Sequence, residues 1–280
     1  STPNSGHGPL TVRGAGPNGY RYFICDGETD SIYDPFSNEE YYCADGSDPD
    51  QVIWQRIYHK NSDGSMSHYD RQAGTMTYHP EHGHNHTNDW GVFTLRKKDD
   101  NESDPRNWPI VSDGAKLGFC LMDYGICSPD PSIDTYSDTD YTGHCKDDNT
   151  VFQEGETMEN SDIPNWGLGG GVYGCSEIEQ GISVGYVDLY GEWLDDQWIN
   201  LDPNLCNGDY WIVGIIDPNN FYLESNKDNN YTAIPVTLSL QSANAGNITI
   251  NLGHGNTEGS AYDPLAKKFA ELAEKYSNGS

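Results

Sequence analysis

The stretch Tyr78-His79-Pro80-Glu81-His82-Gly83-His84-Asn85-His86 holds four of the nine histidines of the chain. His82, His84 and His86 alternate with Gly83 and Asn85, and this alternation ties the stretch to extended structure. Successive side chains of a strand point to opposite faces, so a strand here sends all three imidazoles off one face. Neutral imidazole is the commonest protein ligand for late first-row metals. Alternate Cα atoms of a straight strand lie about 6.5 Å apart. One ion reaches all three rings only if the strand twists or bends, which Gly83 permits. A solvated histidine-rich loop is the plainer reading; three alternating histidines with His79 beside them favour a metal site.

The composition points to extended structure elsewhere too. The 280 residues include 19 Tyr, seven Trp and 31 Gly, with 35% hydrophobic and 12% aromatic residues. Strand-forming aromatics among abundant Gly, Asn, Asp and Thr describe a β-rich protein with many turns. A chain of this length buries a sizeable core, as one large domain or two small ones. Against 44 Asp+Glu stand only 15 Lys+Arg, a net charge of −29. Nucleic acid and anionic membranes are repelled by such a surface, while cationic substrates and cations such as calcium are attracted. Solubility in a salty medium accounts for the charge equally well. No apolar run reaches the length of a membrane span.

The seven cysteines, Cys25, Cys43, Cys120, Cys127, Cys145, Cys175 and Cys206, form no C-x-x-C pair. Disulfides in an oxidising, extracellular-type compartment are the better account. The odd count leaves one thiol free or paired outside the chain. Proximity pairs Cys25 with Cys43 and Cys127 with Cys145. Sequons at Asn85, Asn101, Asn230 and Asn247 permit glycosylation. The chain opens at Ser1-Thr2-Pro3 without a signal peptide, which reads as a processed or trimmed secreted protein.

Along the chain, residues 5–14 read as a turn into a short strand, and residues 15–50 as a loop stapled by Cys25 and Cys43. Strands are expected at 52–58, 90–95, 114–121, 182–190, 197–201, 209–216 and 233–240, with a hairpin turn at Asn61-Ser62-Asp63-Gly64. In the strand 114–121, Ala115, Leu117, Phe119 and Leu121 make one apolar face, and Lys116 lies on the other with Gly118 and Cys120. A lysine there either snorkels to water or, held among apolar groups, becomes a neutral nucleophile. The acidic stretch 128–172 reads as an insertion or lid. Glu224, Asn226, Asn229 and Asn230 crowd oxygen atoms into one loop, which suits either a hard cation such as calcium or a plain Asx-rich turn. Asp263, Pro264 and the spacing of Leu265, Phe269, Leu272 and Tyr276 predict a short amphipathic helix that docks on the sheets or serves assembly with a partner. The fold expected is all-β, a β-sandwich-like core with long disulfide-stapled loops and a short C-terminal helix. It divides into residues 1–260, with 128–172 inserted, and a helical tail at 261–280.

Taken in order, these pieces resemble the catalytic domain of the lysyl oxidase family. Gly6-His7-Gly8-Pro9-Leu10-Thr11-Val12-Arg13 looks like the start of its microbial members. His79 to His86 is similar to the family's copper-binding stretch, in which the last three histidines are ligands. Lys116-Leu117-Gly118-Phe119-Cys120-Leu121-Met122-Asp123 matches the segment that supplies a cofactor lysine, and Gln180 to Tyr190 the one that supplies a cofactor tyrosine, at Tyr190. Asp195, Gln197 and Trp198 continue the match, and Glu224-Ser225-Asn226 with Asn229-Asn230 looks like its calcium loop. The resemblance covers roughly residues 5–14 and 50–240, apart from 128–172.

What the resemblance implies is a secreted, copper-dependent amine oxidase. Its substrates are primary amines, typically peptidyl lysine of extracellular matrix or surface proteins, and its products are aldehyde, ammonia and hydrogen peroxide. The implied cofactor is lysine tyrosylquinone, built from Lys116 and Tyr190. Conjugate addition of the lysine needs a neutral amine, and turnover needs a base, for which His79, Asp188 and Asp195 are candidates. By resemblance Cys120 pairs with Cys175. Glu81, Tyr186 and Asp196 stand where animal members have cysteines, so the disulfide scheme differs. Two other readings compete: a non-catalytic extracellular structural or assembly protein that keeps the scaffold and its metal sites, and a hydrolytic zinc centre on the same histidines.

Overall fold

The computed structural model describes residues 2–4, 8–37, 39–116, 118–123, 175–184, 186–188, 190, 196–202 and 205–239, and the backbone of 125–126. These residues form fourteen strands: β1 Thr2–Pro3, β2 Leu10–Arg13, β3 Tyr20–Cys25, β4 Glu28–Tyr33, β5 Asp50–Lys60, β6 Met66–His79, β7 His84–Thr87, β8 Gly91–Arg96, β9 Ile110–Asp113, β10 Gly125–Ile126, β11 Glu179–Ile182, β12 Tyr186–Asp188, β13 Gly208–Ile216 and β14 Tyr231–Leu238. One 3-10 turn, Pro105–Asn107, interrupts them. The expected all-β architecture is what forms. The predicted C-terminal helix, the 128–172 insertion, Cys127, Cys145 and Asp195 lie outside the described residues.

The strands make three antiparallel sheets. The largest runs β11-β2-β5-β3-β4, with β6 paired to β5 and β7 to β6. A four-stranded sheet runs β14-β13-β8-β9, and a small one runs β1-β12-β10. The core between them holds Val12, Ile53, Ala73, Met76 and Ile182 from the large sheet, with Trp90, Phe119, Leu121 and Tyr222. Phe93 and Ile216 of the four-stranded sheet pack against this cluster. Pairing of β5 with β6 shifts register between Val52 and Trp54, a bulge in β6 that sets Ala73 and Gly74, the latter at φ +84°, opposite the single residue Ile53.

Four of the expected segments take another form. Residues 15–50 contain the β3–β4 hairpin, turned by Asp26-Gly27 with both residues at positive φ (50° and 80°). That is the primed turn an Asp-Gly pair favours, hidden in the sequence by the surrounding Gly, Pro and Ser. The described residues of 114–121 form no strand: Gly114 N donates to Phe93 O of β8, and single bridges join Gly114 to Ile199 and Phe119 to Thr87 of β7. Two-faced burial therefore fails, and Phe119, Cys120 and Leu121 are all buried in succession. Residues 182–190 divide into β11, which extends the large sheet beside β2, and β12, which joins the small sheet, with a turn from Ser183 to Tyr186 between them. The stretch 197–201 likewise contributes one bridge, at Ile199, rather than a strand. Cys25 pairs with Cys43 and Cys120 with Cys175, while Cys206 is an exposed free thiol. No described helix is long and apolar enough to cross a membrane.

Candidate metal and cofactor site

Strand β6 ends at His79 and the chain reverses through Pro80–Gly83. The amides of His82 and Gly83 both donate to His79 O, at 3.1 and 2.8 Å, and Gly83 takes φ +71°. The return strand β7 pairs His84 with His79 and His86 with Thr77. His84 and His86 therefore leave one face of a strand as expected, but His82 belongs to the turn. The turn folds it back over the strand, so no bend within a single strand is needed.

The rings converge. His82 Nδ1 lies 3.2 Å from His86 Nε2, and His84 Nε2 lies 3.0 Å from the same atom. Two nitrogens each about 2.0–2.1 Å from one ion, at an angle between square and tetrahedral, are about 3 Å apart. One Nε2 offers either a proton or a lone pair, so it cannot donate to one neighbour while accepting from the other; a cation satisfies all three. The three histidines form a group able to hold a metal ion. His79 stacks on His82 with ring centroids 4.5 Å apart, and its Nδ1 is buried with no hydrogen-bond partner among the described residues.

Protonation favours ligation. Burial, then the positive charge of Lys116, holds the His86 pKa down to about 3. Burial leads the causes lowering His84, followed by His82 and Lys116. Both imidazoles are thus neutral near pH 7, the form that binds metal.

Strand β7 has β6 on one edge, and the segments bearing Lys116 and Cys175 close the other. Thr87 N donates to Phe119 O at 2.7 Å and Phe119 N to Thr87 O at 3.0 Å; Asn85 N donates to Cys175 O at 3.0 Å. Gln180, fully buried, donates through Nε2 to Asn85 O (2.9 Å) and accepts from Leu121 N (3.1 Å). Gly118 allows the close approach, since a Cβ there would sit 3.2 Å from His86 Cβ.

This clamp brings Lys116 and Tyr190 together. Lys116 is 9% exposed, so it does not snorkel to water. Its Nζ lies 5.6 Å from the Phe119 ring centroid and 5.7 Å from that of Tyr190. Phe119 meets Tyr190 edge-on, with centroids 4.7 Å apart, and the Tyr190 hydroxyl donates to Cys120 O. Burial, reinforced by Asp188, pushes the Tyr190 phenol pKa well above its ordinary value. The Cys120–Cys175 disulfide adjoins the histidines: its two sulfurs and a ring nitrogen of His84 lie within 4.8 Å of one another. Of the residues that build this site, sequence reasoning missed Gln180, Gly118 and Met122 as contributors. Nothing in the polar run Ser176-Glu177-Ile178-Glu179-Gln180 marks the first as buried.

The oxygen-rich loop is a separate place. Glu224 accepts from Asn230 Nδ2 at 2.8 Å, and Asn226 Oδ1 accepts from Asp228 N at 2.9 Å, an Asx turn. Lys227 Nζ lies 2.7 Å from the buried carboxylate of Asp217 and 3.6 Å from Glu224. The loop supplies its own cation at the one carboxylate among Glu224, Asn226, Asn229 and Asn230. A calcium ion there would have to displace Lys227, so the residues present are a poor fit to it.

No curated protein matches the chain. The family model described as lysyl oxidase matches residues 169–247, the stretch that holds Cys175, Gln180, Tyr190 and the Glu224 loop, and this match supports membership of the chain in the lysyl oxidase family.

Proposed function

We propose that the chain is a secreted, copper-dependent amine oxidase that converts primary amines, peptidyl lysine among them, to aldehydes with release of ammonia and hydrogen peroxide. One observation carries the reading: the Lys116 amine faces the Tyr190 ring at 5.7 Å, beside three convergent imidazoles. An all-imidazole set suits copper and zinc alike; a buried phenol and a lysine adjoining it have a use with the redox-active ion and none in zinc hydrolysis. Two disulfides support an oxidising, extracellular compartment.

In this reading His82, His84 and His86 hold copper through neutral ring nitrogens. The hydrogen bond from Tyr190 to Cys120 O and the edge contact with Phe119 fix the plane of the ring that is oxidised. Lys116 would supply the neutral amine that bonds to that ring, with dioxygen as the oxidant, and its flexible stem has the freedom to cover the remaining distance. A lysine tyrosylquinone built from these two side chains would supply an electrophilic carbonyl and an electron sink toward amine substrates. Asp188, buried next to Tyr190, and His79, stacked on His82, are the described candidates for the base that takes the α-proton; Asp195 is proposed beside them on the family resemblance alone. The net charge of −29 draws lysine-rich substrates toward the surface.

Peptide mass spectrometry on copper-loaded, aerated protein tests this. The expected result is one cross-linked species containing Lys116 and Tyr190 that reacts with a hydrazine. Unmodified Lys116 and Tyr190 peptides from such a sample would overturn the enzyme reading and leave a structural role for the scaffold.

A further inference from the structure

We infer that Cys120, Cys175 and His84, with Met122 beside them, form a second metal site in the dithiol form of the protein, a soft site that takes Cu(I). The two sulfurs and one imidazole nitrogen already lie within 4.8 Å of one another, and the Met122 thioether is 4.0 Å from Cys175 Sγ. Both cysteines are buried. Thiolate, thioether and imidazole together are the ligand set that selects Cu(I), and the unbranched methionine has the freedom to close the last distance.

The geometry does not depend on the sulfur–sulfur bond. Cys120 follows Phe119, which exchanges two backbone hydrogen bonds with Thr87, and Cys175 O accepts from Asn85 N. Gln180 ties Asn85 O to Leu121 N. Each cysteine is thus pinned independently to the histidine strand, one on either side of His86. Reduction separates the sulfurs and leaves both facing His84.

His84 belongs to both ligand sets, so the two sites are joined through one imidazole. When the disulfide closes, the two thiols give up two protons and two electrons, with dioxygen as acceptor and hydrogen peroxide as product. Both sulfur ligands are withdrawn in that step, and His84 is left with His82 and His86. The site is therefore one for capture of reduced copper before disulfide closure; the handover, though not the soft site itself, rests on the copper reading proposed above.

The test uses the full chain carrying Cys127→Ser, Cys145→Ser and Cys206→Ser, freed of metal and compared in phosphine-reduced and air-oxidised forms. Cu(I) is titrated under nitrogen against a coloured Cu(I) chelator, and the loaded samples are studied by X-ray absorption. The reduced protein should hold Cu(I) at least about tenfold more tightly, with sulfur and nitrogen both in its coordination sphere. His82→Ala/His86→Ala should retain this tight binding, which separates the soft site from the histidine centre. Cys175→Ser should abolish it, Met122→Leu should weaken it several-fold, and Cys25→Ser/Cys43→Ser should leave it unchanged. Equal affinity in the two oxidation states, or nitrogen-only ligation in the reduced protein, would overturn the inference. If Cys175→Ser does not fold, the Met122→Leu titration and the sulfur scattering decide.

Discussion

Replacing Gln180 with leucine removes the side chain that ties the histidine strand β7 to the lysine segment while nearly preserving volume. Its Oε1 accepts from Leu121 N at 3.1 Å and from Thr87 Oγ1 at 3.4 Å; its Nε2 donates to Asn85 O at 2.9 Å and Ser176 O at 3.3 Å. The two longer contacts are marginal, so the loss falls on Leu121 N–H and Asn85 C=O. Each becomes a buried orphan costing about 1–3 kcal/mol. The apolar side chain recovers about 1–2 kcal/mol by its own burial. At the middle of both ranges the net loss is about 2–3 kcal/mol, which for a chain of this size lowers Tm by roughly 4–12 °C. Calorimetry of the metal-free protein reads the stability, and a copper competition titration should show affinity falling with it. Gln180→Glu separates polarity from shape. It keeps an acceptor for Leu121 but turns an oxygen on the Asn85 carbonyl, so it should be at least as damaging at neutral pH and recover when protonated. A leucine variant within about 0.5 kcal/mol of the parent, with copper affinity unchanged, would refute the clamp.

Three further outcomes follow from single side chains. Asp123 Oδ1 accepts from Ser183 N, Oδ2 is buried with no partner among the described residues, and burial raises the pKa to about 6. The fold therefore prefers the protonated acid: this contribution is full below the ordinary value near 3.8 and is lost as pH rises through about 6, by at most about 3 kcal/mol. Asp123→Asn should flatten that part of a stability–pH profile; an unaltered slope sinks the assignment. Lys227→Gln strips the ammonium from Asp217, whose side chain is fully buried, and should cost about 2–3 kcal/mol given the partial exposure of Lys227. Added calcium should raise the Tm of that variant and not of the parent; an equal rise in both would show that Lys227 does not exclude the ion. Lys116→Arg keeps a cation that is never neutral, so mass spectrometry should find Tyr190 without the cross-link while copper stoichiometry is maintained; a cross-link in that variant would remove Lys116 from the chemistry.

The strands with strong alternation or hydrophobic runs were legible in the sequence: β5, β8, β13 and β14 lie within a few residues of their expected limits. The β3–β4 hairpin was not, because its Asp26-Gly27 turn sits in a stretch whose composition resembles a loop. Residues 114–121 misled for a different reason. Their alternation of apolar and small residues is that of a strand, yet the segment is held by bridges at Gly114 and Phe119, and Lys116, Phe119, Cys120 and Leu121 are all buried, a tertiary circumstance that a local period cannot report. Within the site, the residue types were readable and their convergence was not. Nothing local to His82 says that it lies in a turn, and nothing local to Gln180 says that it reaches Asn85 and Leu121 at once.

The distance in sequence between Lys116 and Tyr190 matters less than its length suggests. A loop is constrained where its ends are held, and lengthening it adds closure entropy only logarithmically. Here both ends are held several times over. Cys120 and Cys175 are 5.4 Å apart at Cα, Gly125 pairs with Val187, and Gly181 N donates to Leu121 O. The segments so anchored also close the open edge of β7, through Thr87 to Phe119 and Asn85 to Cys175; that strand has four residues and carries His84 and His86, with His82 in the turn before it. The three histidines are therefore positioned by the segments that carry Lys116 and Cys175, and those segments are positioned by the histidine strand. A substitution that loosens either partner should register in both copper affinity and cross-link yield, and a variant that altered one while leaving the other at parent values would show that the centre is not one mechanical unit.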